Sequence, residues 1–206
     1  MAEFALNTID GLRPNDVVPS IAEHDGHQGL RLVLNADAET PDCPTFAVIG
    51  GVSFGNGTIE LEVAGDTLAD APPAARGFIG VAFRIADDLS AFEGIYLRPK
   101  NGRAGDQLRR NRACQYFSYP DYKFDHLRAT APGEYESYVD LVPGAWTKMR
   151  IEVAGETAKL FVHDGEQPCL VVSDLKHGPD AVGGIGLYID SGTEGFFRNL
   201  KVTEWR

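Results

Sequence analysis

The stretch Gly77-Phe-Ile-Gly-Val-Ala-Phe-Arg-Ile85 decides the fold, because its apolar residues alternate with a period of two. Ile79, Val81, Phe83 and Ile85 would share one face of an extended strand, and the other face would carry Phe78, Gly80, Ala82 and Arg84. The same period predicts further strands at residues 30–34, 46–49, 58–63, 92–98, 115–119, 135–139, 147–153, 158–163, 170–172, 185–190 and 196–204. No segment has the apolar spacing of a helix of three turns.

Short strands separated by turn sequences predict an all-β fold, specifically a two-sheet antiparallel β-sandwich. Gly55-Asn-Gly57 and His163-Asp-Gly165 are typical of these turns, because Gly, Asn and Asp tolerate positive φ. A chain of 206 residues suits one domain, residues 1–206. The Ala- and Pro-rich stretch 69–75 is interpreted as a surface loop between strands.

Composition excludes several function classes. The net charge of −11 argues against nonspecific binding to nucleic acid or to an anionic membrane, and no apolar run is long enough to span a bilayer. The first residues lack the basic and apolar regions of a secretory signal, which predicts a cytoplasmic protein unless a leader has been removed. Cys43, Cys114 and Cys169 fit reduced thiols better than a disulfide framework or a zinc site. No cofactor is expected to be required.

Residues 93–128, here called the basic segment, differ in charge from the rest of the chain. They contain eight Arg or Lys residues and four acids, whereas the rest contains eleven and twenty-six. The segment includes a long connection without periodicity, residues 99–113, and long structured loops are often functional. Guanidinium groups bind carboxylates, and Tyr rings offer flat apolar faces, so the segment suits a sugar or sugar acid. The alternative is that these arginines pair with acids elsewhere and hold the loop in place.

A candidate binding face follows from strand parity. Residues predicted on the faces opposite the apolar core are Arg84, Tyr96, Arg98, Tyr188 and Asp190. Small residues predicted on the same faces are Gly80, Ala82, Gly94 and Gly186. Small residues let a ligand approach a sheet closely, so these strands would form a shallow trough with a glycine floor. Gln115 completes the candidate ligand-binding set, and a solvated sheet face is the alternative interpretation.

Several motifs resemble the concanavalin A-like lectin/glucanase jelly roll. They are Ile9-Asp-Gly-Leu12, Gly29-Leu-Arg-Leu32, Gly57-Thr-Ile-Glu-Leu-Glu-Val63, Gly77-Phe-Ile-Gly-Val-Ala-Phe-Arg84, Trp146-Thr-Lys-Met-Arg-Ile-Glu-Val153, Ala158-Lys-Leu-Phe-Val162 and Gly195-Phe-Phe-Arg-Asn-Leu-Lys-Val202. The pattern covers nearly the whole chain and is most similar to the laminin-G-like and 3-keto-disaccharide-hydrolase-like branches, in an uncharacterised bacterial group. The resemblance implies a jelly-roll fold with carbohydrate binding or cleavage on a sheet face.

The chain departs from two catalytic signatures of that superfamily. The family 16 glucanases need Glu-x-Asp-x-Glu on one strand face, and the nearest match, Glu60-Leu-Glu62, lacks the central Asp. The alginate lyases of this fold use Gln-x-His, and Gln115-Tyr-Phe117 lacks the histidine. Many of these jelly rolls hold one Ca²⁺ near the chain ends. By position the resemblance implies a possible structural calcium at Asp10 or Asp190.

Two functions from different classes stay open. In the first, a binding module, a sugar, glycoside or sugar acid stacks on Tyr96 or Tyr188 and accepts hydrogen bonds from Arg84 and Arg98. In the second, a glycoside or keto-glycoside hydrolase or lyase, Arg98 and Arg109 polarise the substrate. Candidates for proton transfer in that enzyme are His126, Tyr116, Tyr122 and Tyr138. A weaker alternative is a protein-interaction module that uses the same face.

Overall fold

Strands dominate the computed structural model, which describes residues 1–205. The strands are β1 (Ala2–Phe4), β2 (Leu12–Asn15), β3 (Val17–His24), β4 (His27–Leu34), β5 (Phe46–Ile49), β6 (Gly57–Thr67), β7 (Ile79–Ile85), β8 (Phe92–Leu97), β9 (Cys114–Tyr119), β10 (Glu136–Ser137), β11 (Thr147–Ala154), β12 (Thr157–Val162), β13 (Leu170–Val172), β14 (Gly184–Ile189) and β15 (Thr193–Glu204). The helices are α1 (Pro99–Gly102), α2 (Gln107–Arg110) and α3 (Phe124–Thr130). The predicted all-β class is confirmed, and no helix among these residues is long and apolar enough to cross a bilayer.

The strands form two antiparallel sheets. One sheet, here the β6 sheet, has the order β13-β12-β11-β6-β15-β4-β3, and β1 also pairs with β15. The other, the β7 sheet, has the order β10-β9-β8-β7-β14-β5-β2. Neighbours in both sheets are distant in sequence, as in β6 beside β15, which is typical of a jelly roll. The predicted two-sheet antiparallel sandwich is confirmed.

The apolar face of β7 packs against the β6 sheet and forms the core. Ile79, Val81 and Phe83 are fully buried. Gly65 and Gly195 of the β6 sheet face them closely, because a Cβ on either glycine would lie 2.7 Å from an isoleucine Cγ2 of the β7 sheet. Each such side chain contributes about 1.5–3 kcal/mol when it is removed from water. The alternation seen in the sequence therefore sets which face of β7 looks inward.

The apolar alternation in the sequence did not predict some elements, or predicted them with the wrong length. β2 and β3 each contain a proline, lie at sheet edges and are partly exposed, so they lack a clear apolar alternation. The strand predicted at 135–139 is reduced to the two residues of β10. The connection 99–113 contains α1 and α2, which are single turns and too short to show a helical period.

The outer face of the β7 sheet is filled by aromatic side chains. A Cβ on Gly94 would lie 2.2 Å from the ring of Phe117, and a Cβ on Gly80 would lie 2.8 Å from Cβ of Tyr96. The rings on this face, here called the aromatic layer, belong to Phe46, Phe92, Tyr96, Phe117 and Tyr188. The prediction of an open trough with a glycine floor is therefore wrong, because the glycines accommodate the protein's own rings.

Two chain segments meet over the aromatic layer. The backbone N–H of Asp42 donates to the carboxylate of Asp190, just after β14, over 2.8 Å. The backbone N–H of Phe124, at the start of α3, donates to the carboxylate of Asp42 over 2.6 Å. Lys123 donates to Sγ of Cys43 over 3.1 Å. The start of α3, within the basic segment, thus lies against the outer face of the β7 sheet.

Candidate functional site

A pocket with a volume of about 350 Å³ opens where the aromatic layer meets the basic segment. Its lining residues are Pro41, Ala74, Arg76, Phe78, Tyr96, Arg98, Asn101, Arg109, Arg112, Phe124, Arg128, Asp190 and Ser191. Cavities of this size, with apolar walls and a few converging polar groups, are typical of small-molecule sites. Five of the lining residues are arginines and one is an acid. The cavity, here called the arginine pocket, is therefore strongly cationic.

The guanidinium of Arg98 forms part of the pocket base. Arg98 follows β8, and its backbone N–H donates to Ala113 O, which places the side chain above β9. Its Nη1 donates to Glu136 Oε1 over 3.0 Å, and its Nη2 donates to Tyr96 OH over 2.9 Å and to Gln115 Oε1. Burial acts to lower the pKa of Arg98, but Tyr96 and Glu136 outweigh it and the net shift is upward. The protein itself therefore uses most of the donors of Arg98.

Glu136 on β10 is the shared partner of three pocket arginines. It contacts Arg98 at 3.0 Å, Arg112 at 3.4 Å and Arg128 at 2.5 Å. Burial acts to raise the pKa of Glu136, but hydrogen bonding from Arg128 and the charge of Arg98 hold it below its ordinary value. One carboxylate faces three guanidinium groups, so the cluster keeps a positive charge.

Apolar side chains complete the walls of the pocket. The ring of Phe78 packs edge to face on Tyr96, with a centroid distance of 5.8 Å. Arg128 stands 5.0 Å from the ring centroid of Phe124, which is four residues away on the same face of α3. Phe78 and Phe124 are each only partly buried, so both rings present a surface to the cavity. A ligand with apolar ring faces can pack here.

Asp190 lines the pocket but its oxygens already accept hydrogen bonds. Oδ2 accepts from Tyr188 OH at 2.7 Å and from the N–H of Asp42 at 2.8 Å. Oδ1 accepts from the N–H of Ser191 at 2.5 Å and from its hydroxyl at 2.9 Å. Four donors occupy one carboxylate, so Asp190 acts mainly as an anchor that holds the segment around Asp42 against β14.

Asp42 is a buried acid that sequence reasoning missed. Its Oδ2 accepts from Phe124, whereas its Oδ1 has no hydrogen-bond partner among the described residues. Burial, and then the negative charge of Asp190, raise the pKa of Asp42 to about 7. Nothing in Pro41-Asp-Cys43 signals this environment, because the burial comes from β14 and α3, which are far away in sequence.

The structure brings part of the predicted binding set together. The predicted residues that line the arginine pocket are Tyr96, Arg98, Arg109 and Asp190. Gln115 and Tyr188 are also buried, and neither lines the cavity. Gln115 holds Arg98, and Tyr188 holds Asp190. Both side chains support residues that line the cavity, and their direct contact with a ligand stays a prediction.

Arg84 lies away from the pocket, so the structure does not bring it together with the other predicted binding residues. Gly80 is paired with Tyr96, and Arg84 is four residues further along β7, or about 13 Å by strand rise. Arg84 has φ of +53°, next to an irregular register between β7 and β14. Its side chain donates to Gly178 O and Gly155 O, each over 2.9 Å. Arg84 therefore ties turns together at the other end of the sheet.

Tyr116 also lies outside the pocket, because it pairs with Ile95 on the inward face of the β7 sheet. Its hydroxyl donates to Glu93 over 2.6 Å and accepts from the N–H of Lys176 over 3.1 Å. Burial, with the charge of Glu93, raises its pKa well above the usual range. Tyr116 is fully buried under the chain around Lys176, and this geometry gives its predicted proton-transfer role no support.

The remaining candidates for proton transfer are on the surface. His126 is exposed on α3 and packs edge to face with exposed Tyr122, with a centroid distance of 5.6 Å. Tyr138 is exposed and accepts a hydrogen bond from Arg110 over 3.1 Å. None of these three predicted catalytic side chains lines the arginine pocket. Within α3, Phe124 and Arg128 take the pocket side, so His126 points elsewhere.

The described residues do not fit the implied calcium site. Asp10 is exposed and bonds with the hydroxyl of Thr8 over 2.9 Å, and the lone pairs of Asp190 are filled by donors. Among residues 1–205, no cluster of three or more His, Cys, Asp or Glu side chains could hold a metal ion. Calcium binding stays a prediction without support from the geometry.

Several pocket residues could not be selected from the sequence. Arg112, Phe124 and Arg128 belong to the basic segment, and the i, i+4 spacing of Phe124 and Arg128 was a usable signal once a helix is assumed. Arg76 and Glu136 lie outside that segment. Nothing in their local sequence points to the pocket, because they reach it through the folding of separate connections.

No protein-family model matches the chain, and no curated protein matches its sequence. Solved structures do match. A protein of unknown function with a galectin-like fold from Bacillus subtilis has a TM-score of 0.62 and 14% identity, over 99% of this chain and 95% of that one. The carbohydrate-binding module CBM66 from Bacillus subtilis has a TM-score of 0.56 and 14% identity, over 92% and 93% of the two chains.

Domain 4 of AbnA, a GH43 extracellular arabinanase from Geobacillus stearothermophilus, was solved in complex with arabinotriose. It matches with a TM-score of 0.52 and 14% identity, over 98% of this chain and 91% of that one. At these identities the likeness shows the fold alone. The chain has the two-sheet jelly-roll fold that the sequence resemblance implies.

Proposed function

We propose that this chain binds a carbohydrate and that the sugar docks in the arginine pocket. The observation that carries the proposal is the convergence of Phe78, Phe124 and several guanidinium groups around one cavity. Aromatic faces pack against the C–H faces of sugar rings, and guanidinium groups donate hydrogen bonds to sugar oxygens. The cavity of about 350 Å³ suits one or two sugar rings better than a long chain.

Two structural neighbours support a sugar as the ligand. One is named as a carbohydrate-binding module, and the other was solved with arabinotriose. Both share the jelly-roll architecture over at least 92% of this chain. A shared fold does not by itself transfer a ligand, so the proposal depends on the pocket and the neighbours add support.

Hydrolysis or lysis of a glycoside is the second candidate, and one observation favours it. Burial raises the pKa of Asp42 to about 7, and its backbone N–H donates to Asp190, which lines the pocket. A carboxyl group with a pKa near neutral suits acid–base catalysis. The side chain of Asp42 is fully buried, however, and the predicted proton-transfer residues lie elsewhere. Binding without chemistry is therefore the better-supported function.

The first prediction concerns Phe124, whose ring lines the pocket. We expect Phe124→Ala to weaken sugar binding by up to about tenfold, because an aromatic contact contributes about 0.5–1.5 kcal/mol beyond its buried area. Isothermal titration calorimetry against a panel of mono- and disaccharides measures the affinity. Tyr122→Ala is the matched control, because Tyr122 is exposed two residues earlier and does not line the pocket.

Chromatography of the same mixtures separates the two candidates. A saturable heat signal with unaltered sugar supports the binding module. Accumulation of a reaction product shows instead that the protein is an enzyme. Equal affinity in wild type and Phe124→Ala contradicts the assignment to this pocket. If no sugar binds, a protein-interaction module becomes the better-supported function.

A further inference from the structure

Arg76 differs from the arginines at the pocket base because it has no acidic partner. Among the described residues, no carboxylate lies within 4.0 Å of its guanidinium, although such contacts exist for Arg98, Arg112 and Arg128. Nη1 of Arg76 donates to two backbone carbonyls, each over 2.7 Å, and these carry only partial charge. Its Nη2 and Nε have no acceptor among residues 1–205, so Arg76 has donors to spare.

Arg109 also lacks an acidic partner among these residues and has unused donors. Nε donates to Asn101 Oδ1 and Nη2 donates to Lys100 O, both over 3.4 Å, which is at the long limit for a hydrogen bond. Within the described part of the chain, no carboxylate pairs with this side chain and Nη1 has no acceptor. The nearest acid in the sequence, Asp106 just before α2, instead accepts from the backbone N–H of Arg109 over 2.8 Å.

These two arginines lie on one wall of the pocket. The carbonyl of Arg76 accepts from the N–H of Lys100 over 3.2 Å, and the carbonyl of Lys100 accepts from Arg109. Lys100 itself points to Asp66, 3.4 Å away. Burial, and then the positive charges of Arg109 and Arg98, lower the pKa of Arg76. Like charges are thus held together without neutralisation, and a bound anion would relieve their repulsion.

We infer that Arg76 and Arg109 form a subsite for the carboxylate of a sugar acid, with the sugar ring against Phe78 and Phe124. This inference rests on the proposed function, since it names the class of sugar for the same pocket. A guanidinium presents two parallel N–H groups to a carboxylate, and such charged hydrogen bonds are shorter and stronger than neutral ones. Arg98 has no part in this subsite, because Glu136, Gln115 and Tyr96 occupy its donors.

The test compares each sugar acid with its neutral parent. The probes are D-glucuronate against D-glucose and D-galacturonate against D-galactose, with the wild-type protein and calorimetry at two salt concentrations. At least one uronate should bind about tenfold or more tightly than its parent hexose, which is the scale of one hydrogen bond to a charged group. The preference should fall as salt rises, because ions screen the charge of the pocket.

The variants Arg76→Gln and Arg109→Gln locate the subsite. Each should reduce uronate affinity about tenfold or more and change hexose affinity about twofold or less. Arg103→Gln is the matched control, because Arg103 is exposed on the same segment and pairs with Asp140 over 2.7 Å. Circular dichroism and thermal melting confirm that each variant is folded.

The outcomes separate this inference from the proposed function. Equal affinity for hexose and uronate overturns the acidic subsite and leaves carbohydrate binding in place. A uronate preference that survives both Gln variants also overturns it, because the anion would then lie elsewhere. Binding of neither member of either pair overturns the subsite together with its premise. A uronate preference lost in both variants but kept in Arg103→Gln supports the inference.

Discussion

The guanidinium of Arg98 holds the base of the arginine pocket together. It is almost fully buried and forms an ion pair with Glu136, whose side chain is 6% exposed. Breaking one half of a buried pair leaves the other charge without compensation, so we expect Arg98→Ala to lower the free energy of unfolding by about 3–5 kcal/mol. Urea denaturation followed by circular dichroism measures the change.

Arg103→Ala is the matched comparison for this prediction. Arg103 also pairs with a carboxylate, Asp140, but both side chains are at least half exposed. Exposed pairs contribute about 0–1 kcal/mol, so this substitution should have little effect. A similar small effect for Arg98→Ala would mean that the buried network around Glu136 is less important than its geometry indicates.

Asp42 makes the stability of the protein depend on pH. Its pKa is raised from the ordinary 3.8 to about 7, so between these values the folded protein keeps a proton that the unfolded chain releases. The contribution of Asp42 is therefore fully present below about pH 4, falls as pH rises, and is lost above about pH 7. Asp42→Asn removes this titration, so its stability relative to wild type should improve from about pH 4 to about pH 7 and then level off.

The control for the pH prediction is Asp88→Asn. Hydrogen bonds from Ser90 lower the pKa of exposed Asp88, so its contribution has the opposite sign and is lost as pH falls. Its variant should lose stability relative to wild type as pH rises through the acidic range. If the difference in free energy of unfolding between Asp42→Asn and wild type stays constant across pH, the raised pKa of Asp42 is contradicted.

At the scale of the element, β8 shows how the sheet accommodates its aromatic layer. Gly94 faces the ring of Phe117, and a Cβ there would come within 2.2 Å of it. We expect Gly94→Ala to lower the free energy of unfolding by about 1–3 kcal/mol, which is typical of an overpacked interior. Gly105→Ala should change it by about 0.5 kcal/mol or less, because no atom lies within 4 Å of the added methyl group.

Thermal denaturation of the two variants distinguishes packing from a general cost of replacing glycine. Equal melting temperatures would indicate that Phe117 can move aside, and that the aromatic layer is looser than its edge-to-face contacts indicate. The comparison also tests the glycine interpretation directly. A ligand trough would tolerate a methyl group at Gly94 with an effect on binding only, whereas a packed layer responds with lost stability.

The basic segment acts as one element although its structure is irregular. It contains most of β8 and all of β9, which pair within the β7 sheet, and side chains fix the irregular parts between and after these strands to the rest of the fold. Glu136 on β10 fixes Arg112 and Arg128, and Asp42 fixes the backbone of Phe124. The interpretation that these arginines hold the loop is therefore correct for part of the segment, and Arg109 remains available for a ligand.

At the scale of the whole molecule, the fold was more predictable than the site. Twelve of the strands were anticipated because each has a local apolar alternation, and the motif resemblance indicated the jelly roll. Part of the predicted residue set lies at the arginine pocket. Tyr96, Arg98, Arg109 and Asp190 line the pocket, whereas Arg84, Tyr116 and His126 do not. Strand parity predicts which face of the sheet a residue occupies, but not how far along the strand it lies from a site. It also does not predict the register irregularity between β7 and β14 at Arg84.

The sequence by itself determined the inward and outward faces of the strands and the concentration of positive charge in residues 93–128. Both are local properties, since neighbouring residues and their period settle them. Only the tertiary structure decided that Arg76 joins Arg109, that Glu136 neutralises part of the cluster and that Asp42 is buried against Asp190. Those contacts join separate loops, and the path of each loop depends on the packing of the whole sandwich.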